Sequence, residues 1–236
     1  ALPLTLAVAQ WRASTPRSSR CALGWIEGKA LERLGDHELA ERSYDAAESL
    51  DPTWAPVLVE LARFASDRGD AARAVGLLDR AGVDEDDDER AFLARFAAAA
   101  HDLDRNAPCW CGSGRRLKAC HRSAPPRPLE TRAAWLQHKA VVFLHEGPWG
   151  GELLDLARER SRYWPGSEGL MRGYSDALVH DAMLCEGRVF EDFLEERGFL
   201  LPEDERELAE TWIGRERSVF DVEEVAAGTS MTLRDM

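Results

Sequence analysis

Residues 21–54 read CALGWIEGKALERLGDHELAERSYDAAESLDPTW, and residues 55–88 read APVLVELARFASDRGDAARAVGLLDRAGVDEDDD. The two stretches align without a gap at a shift of 34 residues, and Gly35-Asp36 falls on Gly69-Asp70. A fixed period of this length is typical of stacked helical hairpins. We therefore predict two helical hairpins, with each Gly-Asp pair in the turn between two antiparallel helices.

Small residues recur where the two helices of each unit are expected to cross closely, namely Gly28, Ala40, Ala47, Ala62, Ala74 and Ala81. Larger side chains such as Leu31, Tyr44 and Leu58 are expected to fill the space between the crossings. Pro52 is expected to end the first unit. Two units are fewer than such arrays need for stability. We therefore expect either repeats upstream or neighbouring helices to complete the stack.

This pattern resembles the tetratricopeptide repeat. The small residues, turn glycine, aromatic and proline of that family correspond to Gly28, Gly35, Ala40, Tyr44, Ala47 and Pro52. The first unit departs from the family pattern at Gly24, where an aromatic is usual. The second unit has Leu78 and Asp86 in place of the aromatic and the proline. The resemblance implies a helical platform that binds a protein segment in its groove.

A further helix is predicted within residues 84–105, which begin with six acidic residues and continue with apolar residues at helical spacing. Acidic side chains favour a helix N-terminus electrostatically. Calcium-binding loops of the EF-hand type need alternating Asp residues and a glycine at the sixth position. The acidic run lacks that pattern, so we interpret it as a helix cap rather than a cation site.

The segment NAPCWCGSGRRLKACH, residues 106–121, contains three of the five cysteines and one of the six histidines. Cys109 and Cys111 are two residues apart, so an extended backbone points both thiols to one side. Cys120 and His121 add a third sulfur and an imidazole. Three thiolates and one imidazole fill the tetrahedral shell of one structural Zn²⁺ ion and leave no open position.

Other uses of these cysteines fit the pattern less well. A thioredoxin-like pair needs C-x-x-C, whereas this segment has C-x-C. An iron–sulfur cluster usually takes four cysteines, and a disulfide between Cys109 and Cys111 would be strained. Thiols that bind no metal stay as the alternative.

Residues 105–121 resemble the SEC-C motif, a short zinc-binding module found at the C-terminus of the SecA preprotein translocase and in other bacterial proteins. The segment matches the family pattern of Arg-Asn, Pro-Cys-x-Cys-Gly-Ser-Gly, a basic pair, Lys and Cys-His. It departs at Ala107, where an acid is common, and at Leu117, where an aromatic is common; both changes are expected to alter the face offered to a partner. The resemblance implies that the zinc ligands are Cys109, Cys111, Cys120 and His121.

The same segment is predicted to bind a partner through Trp110, Arg115, Arg116 and Lys118. In the translocase the module binds an export chaperone and the ribosome, so the resemblance implies a protein partner with an acidic chaperone surface, or a ribosome. The chain has 30 basic and 43 acidic residues, a net charge of −13. Residues 105–129 hold six basic residues and no acid, which leaves 24 basic and 43 acidic residues elsewhere, a net charge of −19.

An acidic chain with one compact basic knob is not expected to bind nucleic acid in general. RNA binding through the knob is an alternative, recognised by a steep fall in affinity with salt. No run of eighteen apolar residues occurs, so no membrane span is predicted. Residues 1–20 lack the features of a signal peptide. We interpret them as a ragged end of a longer chain.

The absence of a secretion signal and the odd number of cysteines favour a cytoplasmic, reducing location. After the proline-rich linker SAPPRP, apolar residues recur at helical intervals, and SVFDVEEV and MTLRDM flank a turn as a β-hairpin does. A lone hairpin is marginal in water, so we expect the intact protein to continue into further strands.

The predicted fold class is mainly α, with tetratricopeptide-like hairpins, a small zinc module and a C-terminal helical domain that ends in a β-hairpin. The predicted parts are an N-terminal segment (1–20), two repeats with a packing helix (21–104), the zinc module (105–122), a proline linker (123–128) and the C-terminal domain (129–236).

The leading functional hypothesis is a zinc-binding adaptor for protein–protein interaction. The alternative is an enzyme of unknown reaction housed in the C-terminal module, based on His138, His180, Asp181 and Glu191, with the repeats and the zinc module as targeting parts. The more conservative interpretation of these four residues is that they are polar groups on helix faces. Cys21 and Cys185 are predicted to be packed thiols rather than nucleophiles.

Overall fold

The computed structural model describes residues 7–8, 11, 15–97, 104, 106–108, 115–119, 128–164, 166, 168–215 and 218–236. Over these residues the protein is mainly helical and ends in a two-stranded antiparallel hairpin, which confirms the predicted fold class. The helices are α1 (Arg17–Glu32), α2 (His37–Leu50), α3 (Ala55–Asp67), α4 (Ala71–Ala81), α5 (Asp88–Ala94), α6 (Leu129–Glu146), α7 (Gly150–Ser161), α8 (Gly169–Tyr174), α9 (Ala177–Cys185), α10 (Val189–Arg197) and α11 (Glu203–Trp212). The strands are β1 (Phe220–Ala226) and β2 (Ser230–Asp235), and short 3₁₀ turns span Leu117–Ala119 and Gly198–Leu200.

The chain divides into two compact units. The first consists of residues 1–139 and 194–207, and the second of residues 140–193 and 208–236. Residues 129–139 and 194–207 therefore group with the repeat segment in the first unit. The module boundaries proposed from the sequence stay a prediction.

The two Gly-Asp pairs lie in equivalent turns of the first unit. Gly35 and Gly69 have φ angles of +77° and +75°, a left-handed conformation that glycine adopts without steric cost. Asp36 accepts a hydrogen bond from the backbone N–H of Leu39 at 3.2 Å, and Asp70 accepts one from Arg73 at 3.0 Å. Each aspartate thereby caps the second helix of its hairpin. The predicted turns are confirmed.

Helices α1 and α2 approach closely because α1 carries glycine at the contact. A Cβ atom on Gly28 would lie 2.2 Å from the ring of Tyr44, which is fully buried. A Cβ atom on Gly24 would lie 2.9 Å from the Cβ atom of Ala47. Gly24, which departs from the repeat pattern, therefore allows a second close contact between the two helices.

Helices that follow the repeats complete the core of the first unit. Leu93 of α5, Trp135 of α6 and Leu200 join the buried cluster formed by the two hairpins. The indole Nε1–H of Trp135 donates a hydrogen bond to Ser66 Oγ at 3.0 Å. Of the two expectations from the sequence, repeats upstream or neighbouring helices that complete the stack, this packing agrees with the second.

The acidic run at residues 84–89 caps a helix, as predicted. Helix α5 begins at Asp88, and the carboxylate of Asp87 accepts hydrogen bonds from the backbone N–H groups of Glu89 and Arg90, both at 3.1 Å. Helix α5 ends at Ala94, and a turn follows. Residues 98–103 and 105 of the predicted segment 84–105 lie outside the described residues.

A network of buried charges joins the repeats to the later segments of the first unit. Arg197 donates to Asp67 at 2.6 Å and to Glu32 at 3.2 Å. Lys139 donates to Glu205 at 2.5 Å and to the backbone carbonyl of Asp67 at 3.1 Å. We call this set the buried charge network: Glu32, Asp67, Arg132, Lys139, Arg197 and Glu205.

The ionisation of Glu32 reflects the balance of charges in this network. Burial by itself raises the pKa of the Glu32 carboxyl, but Arg63, Arg197 and Lys29 outweigh that effect and lower the pKa to about 2. Glu32 therefore stays ionised in the folded protein down to strongly acidic pH.

Aromatic side chains form much of the core of the second unit. Phe193 lies between Phe143 and Phe190, with ring centroids 5.6 and 6.0 Å apart, and Phe190 also contacts Trp212. Gly173 of α8 allows a close approach to α7, since a Cβ atom there would lie 2.4 Å from the carbonyl oxygen of Ala157.

Strands β1 and β2 form the hairpin that the sequence predicts. The turn between them contains Gly228 in a left-handed conformation, with φ of +73°, and the N–H of Thr229 donates to the carbonyl of Ala226 at 2.9 Å. Every residue of both strands is exposed to solvent.

Candidate metal centre

The four predicted zinc ligands, Cys109, Cys111, Cys120 and His121, lie outside the described residues, and so does Trp110. The structure therefore describes the immediate surroundings of the candidate site and not the ligands themselves. Those surroundings comprise residues 104, 106–108 and 115–119.

The two described segments of the module pair with each other. Pro108 and Arg116 form an antiparallel β-bridge, and the backbone N–H of Leu117 donates to the carbonyl of Ala107 at 2.9 Å. The bridge pairs the residues on either side of the sequence segment that contains Cys109 and Cys111. After the bridge, the 3₁₀ turn Leu117–Ala119 leads directly to the position of Cys120.

A local turn prepares the chain for this bridge. The carboxylate of Asp104 accepts a hydrogen bond from the backbone N–H of Asn106 at 2.9 Å, and its carbonyl accepts one from Ala107 at 3.0 Å. Aspartate commonly forms turns of this kind with the backbone two residues further along. Asn106 and Ala107 are thereby positioned just before the loop of the candidate ligands.

The described residues of the predicted partner face differ in exposure from Leu117. Arg115, Arg116 and Lys118 are exposed, whereas Leu117 is only 4% exposed. The expectation that Leu117 alters the face offered to a partner is therefore wrong, since an apolar side chain at this position is withdrawn from solvent. The three basic side chains therefore form part of the exposed surface of the described residues.

Elsewhere in the part of the chain that the structure describes, no group of three or more His, Cys, Asp or Glu side chains is arranged to hold a metal ion. The four predicted zinc ligands are not among these residues. The described acidic and histidine residues thus offer no competing metal site.

The residues proposed for an enzyme site have local structural partners. His138 of the first unit lies 2.6 Å from Glu89 and stacks on Phe92. In the second unit, Nε2 of His180 lies 3.0 Å from the carbonyl oxygen of Tyr174. Glu191, in the first turn of α10, accepts a hydrogen bond from Arg188 at 2.7 Å. These contacts do not support the enzyme alternative, and Asp181 is only half-buried on α9.

The two remaining cysteines differ in exposure. Cys21 is buried, and burial raises the pKa of its thiol, with Asp51 acting in the same direction. Cys185 is exposed. The prediction of a packed thiol is therefore confirmed for Cys21 and wrong for Cys185. Cys185 is the last residue of α9, and the residues that follow it, 186–188, are exposed as well.

A surface pocket of about 450 Å³ in the second unit was not predicted from the sequence. Its lining includes the apolar residues Leu156, Val179 and Ala182 together with Arg160 and Tyr163. The guanidinium of Arg160 donates to Asp176 at 2.5 Å, and this hydrogen bond lowers the pKa of the Asp176 carboxyl. Most of the lining residues come from α7 and α9, which are separate in the sequence. A motif of neighbouring residues therefore cannot predict the pocket.

Comparison with known proteins identifies the segment and not the whole chain. A family model described as the SEC-C motif matches residues 105–123, so this segment carries a SEC-C motif. A methionine aminopeptidase of Chlamydia pneumoniae is 60% identical over 25 residues, which cover 11% of this chain and 9% of that enzyme. This match is too short to transfer the activity of the enzyme. No solved structure matches the chain.

None of the described helices combines the length and the apolar character needed to cross a bilayer.

Proposed function

We propose that this protein is a zinc-binding adaptor, in which a SEC-C module docks an acidic surface of a partner. The observation that carries the proposal is the SEC-C match over residues 105–123, a range that contains Cys109, Cys111, Cys120 and His121. The enzyme alternative receives no support from the described residues or from the comparisons.

The donor set and the described flanks fit one structural zinc ion. Three thiolates and one neutral imidazole are the ligands of a closed structural zinc site. The Pro108–Arg116 bridge returns the chain to the start of the loop that bears the first two cysteines. Bound zinc would fix the fold of this small module, because binding to a site absent from the unfolded chain adds directly to folding stability.

Three exposed cations make the described edge of this module basic. Arg115, Arg116 and Lys118 lie within four positions of each other and are all exposed. The rest of the chain is strongly acidic, so the module is the place where an acidic partner is attracted rather than repelled. We propose the ribosome or an acidic chaperone surface as the partner, with Trp110 adding an apolar contact.

The helical hairpins of the first unit are proposed to act as a tetratricopeptide-like platform. The equivalent Gly-Asp turns 34 residues apart and the tight Gly28–Tyr44 crossing support this assignment. In this proposal residues 21–104 bind a peptide segment, residues 105–122 dock the second partner, and residues 129–236 form a third part. The protein is proposed to work in the cytoplasm.

The test of the basic face compares two sets of charge reversals in the full-length chain. The first variant carries Arg115→Glu, Arg116→Glu and Lys118→Glu. The control carries Arg42→Glu, Arg158→Glu and Arg162→Glu, which are exposed by 72%, 59% and 72% and change the net charge by the same amount. Affinity for purified ribosomes and for a purified acidic export chaperone is measured by sedimentation and by biolayer interferometry.

We expect the first variant to lose at least about tenfold in affinity for one of the two partners, equivalent to about 1.4 kcal/mol. The control should change that affinity by less than about threefold. Added salt should weaken the wild-type complex, because the contact is electrostatic. Absence of wild-type binding to both partners, or an equal loss in both variants, would refute the proposed docking face.

A further inference from the structure

The hairpin formed by β1 and β2 has two faces of opposite character. Directly opposed residues of an antiparallel pair lie on the same face, and the register pairs Phe220 with Asp235, Val222 with Leu233, and Val225 with Met231. We call the face with Phe220, Val222, Val225, Met231 and Leu233 the apolar face. The opposite face carries Asp221, Glu224, Ala226, Ser230, Thr232 and Arg234.

A β-bulge at Glu223 creates this segregation. Val222 and Val225 are three positions apart, and a regular strand would place them on opposite faces. The register shifts between Val222 and Glu224, so that Glu223 is the extra residue of β1. An extra residue restores the alternation on the far side of the bulge. The bulge therefore brings Val225 onto the same face as Val222.

The apolar face is open to solvent. Phe220 and Leu233 are 48% and 47% exposed, and Val222, Met231 and Val225 are 58%, 61% and 67% exposed. Two-stranded hairpins are marginally stable by themselves, and a contiguous exposed apolar patch of this kind marks an interaction surface. The polar face is stabilised locally by the ion pair of Arg234 with Asp221 at 2.8 Å.

We propose that the apolar face packs against the same face of a second copy of this chain. Side chains exposed to this extent each present on the order of 100 Å² of apolar surface. Complete burial of two such faces would remove about 1,000 Å² from solvent in total, which is the lower limit for a specific interface and the size range of weak complexes. A two-fold dimer uses the same patch on both chains, and the five apolar side chains of this face require no complementary charge.

The charges around the hairpin define the arrangement of the two copies. Asp235 lies opposite Phe220 at the open end of the apolar face, where the hydroxyl of Ser218 donates to it. Antiparallel stacking places each Asp235 near the uncharged turn at Gly228 of the other copy and keeps the two carboxylates apart. The two chains each carry a net charge of −13, so their repulsion opposes association and is screened by salt.

The experiment measures the oligomeric state of the chain of residues 1–236 by sedimentation velocity from 1 to 100 µM, a range chosen to bracket an affinity on the order of 10 µM. The test variant carries Met231→Lys and Leu233→Lys on the apolar face. The control carries Ser230→Lys and Thr232→Lys on the polar face of the same strand, with the same spacing and the same added charge. Far-UV circular dichroism verifies that the helices are retained in each variant.

We expect wild type and the polar-face control to form dimers, and added NaCl to tighten the wild-type dimer. The apolar-face variant should be monomeric over the whole range, which corresponds to at least about a hundredfold rise in the dissociation constant. A monomeric wild type at 100 µM and high salt would overturn the proposal and assign the apolar face to another occupant. A dimer that survives the apolar-face substitutions would overturn it as well.

Discussion

Replacing Glu205 by glutamine should destabilise the first unit severely. The side chains of Glu205 and Lys139 are both fully buried, and Glu205 accepts from Lys139 and from Arg132. The substitution removes the negative charge, and the single amide oxygen of glutamine can accept from only one of the two cations. The amide NH2 group then faces the other buried cation. Breaking a buried ion pair in this way costs about 3–5 kcal/mol.

The matched control is Glu207→Gln, the same chemical change two residues further along α11 at an exposed position. Exposed substitutions of this kind change stability by about 0.5 kcal/mol or less. Urea unfolding at pH 7, followed by far-UV circular dichroism, measures both variants. With a denaturant slope of about 2 kcal/mol/M, Glu205→Gln should lower the midpoint by about 2 M.

A double variant separates the loss of charge balance from the loss of packing. Lys139→Met combined with Glu205→Met removes both buried charges of the pair while keeping apolar volume, and Arg132 retains its partner Asp204. We expect this variant to be more stable than Glu205→Gln, because no lysine is left buried without its carboxylate. A midpoint for Glu205→Gln equal to that of Glu207→Gln would refute the reasoning.

Two further predictions concern the first unit. Gly28→Ala should lower the free energy of unfolding by about 1–3 kcal/mol, because the added Cβ atom meets Tyr44 at 2.2 Å. Gly76→Ala, in α4 with no atom within 4 Å of the added Cβ, should instead raise it by up to about 1 kcal/mol; urea midpoints of both variants check this contrast. Because the pKa of Glu32 falls from 4.5 in the unfolded chain to about 2 in the folded protein, its ionisation should stabilise the fold by about 3 kcal/mol above pH 4.5. That contribution should disappear as the pH falls from 4.5 to 2, so the stability difference between wild type and Glu32→Gln should shrink over this window.

The helical hairpins could be predicted because each depends on neighbouring residues. Glycine at a left-handed turn and aspartate at the next helix cap are local requirements, and both recur after 34 residues at Gly69 and Asp70. The β-hairpin has the same local origin, in two short segments with β-branched and other apolar residues around a Gly-containing turn. These signals survive in a single sequence without knowledge of the tertiary structure.

The contacts that unite distant segments could not be predicted in the same way. Arg197 and Asp67 are separated by 130 positions, and neither residue differs in local pattern from an exposed charge on a helix. Their burial depends on the packing of residues 194–207 against residues 1–139 in the first unit. The periodicity of apolar residues gives no information about such long-range packing. The exposure of Cys185 was missed for a related reason, because helical spacing does not show where a helix end leaves the core.

The candidate metal centre was predicted from residue types and spacing, since zinc selects thiolate and imidazole donors. The structure adds the Pro108–Arg116 bridge and the burial of Leu117, which are neighbours in sequence of the predicted ligands. Leu117 lies between Arg116 and Lys118 in the sequence, and it is buried whereas they are exposed. A single apolar residue among basic ones does not by itself predict that burial.

The zinc content of the purified protein tests the central claim most directly. Elemental mass spectrometry is applied to wild type, to Cys120→Ser and to Cys185→Ser, the last serving as a control because Cys185 lies outside the SEC-C match. We predict one zinc ion per chain in wild type and in Cys185→Ser, and loss of zinc in Cys120→Ser. A wild-type protein without zinc, or a Cys120→Ser variant that retains it in full, would contradict the assignment of this segment as a structural zinc module.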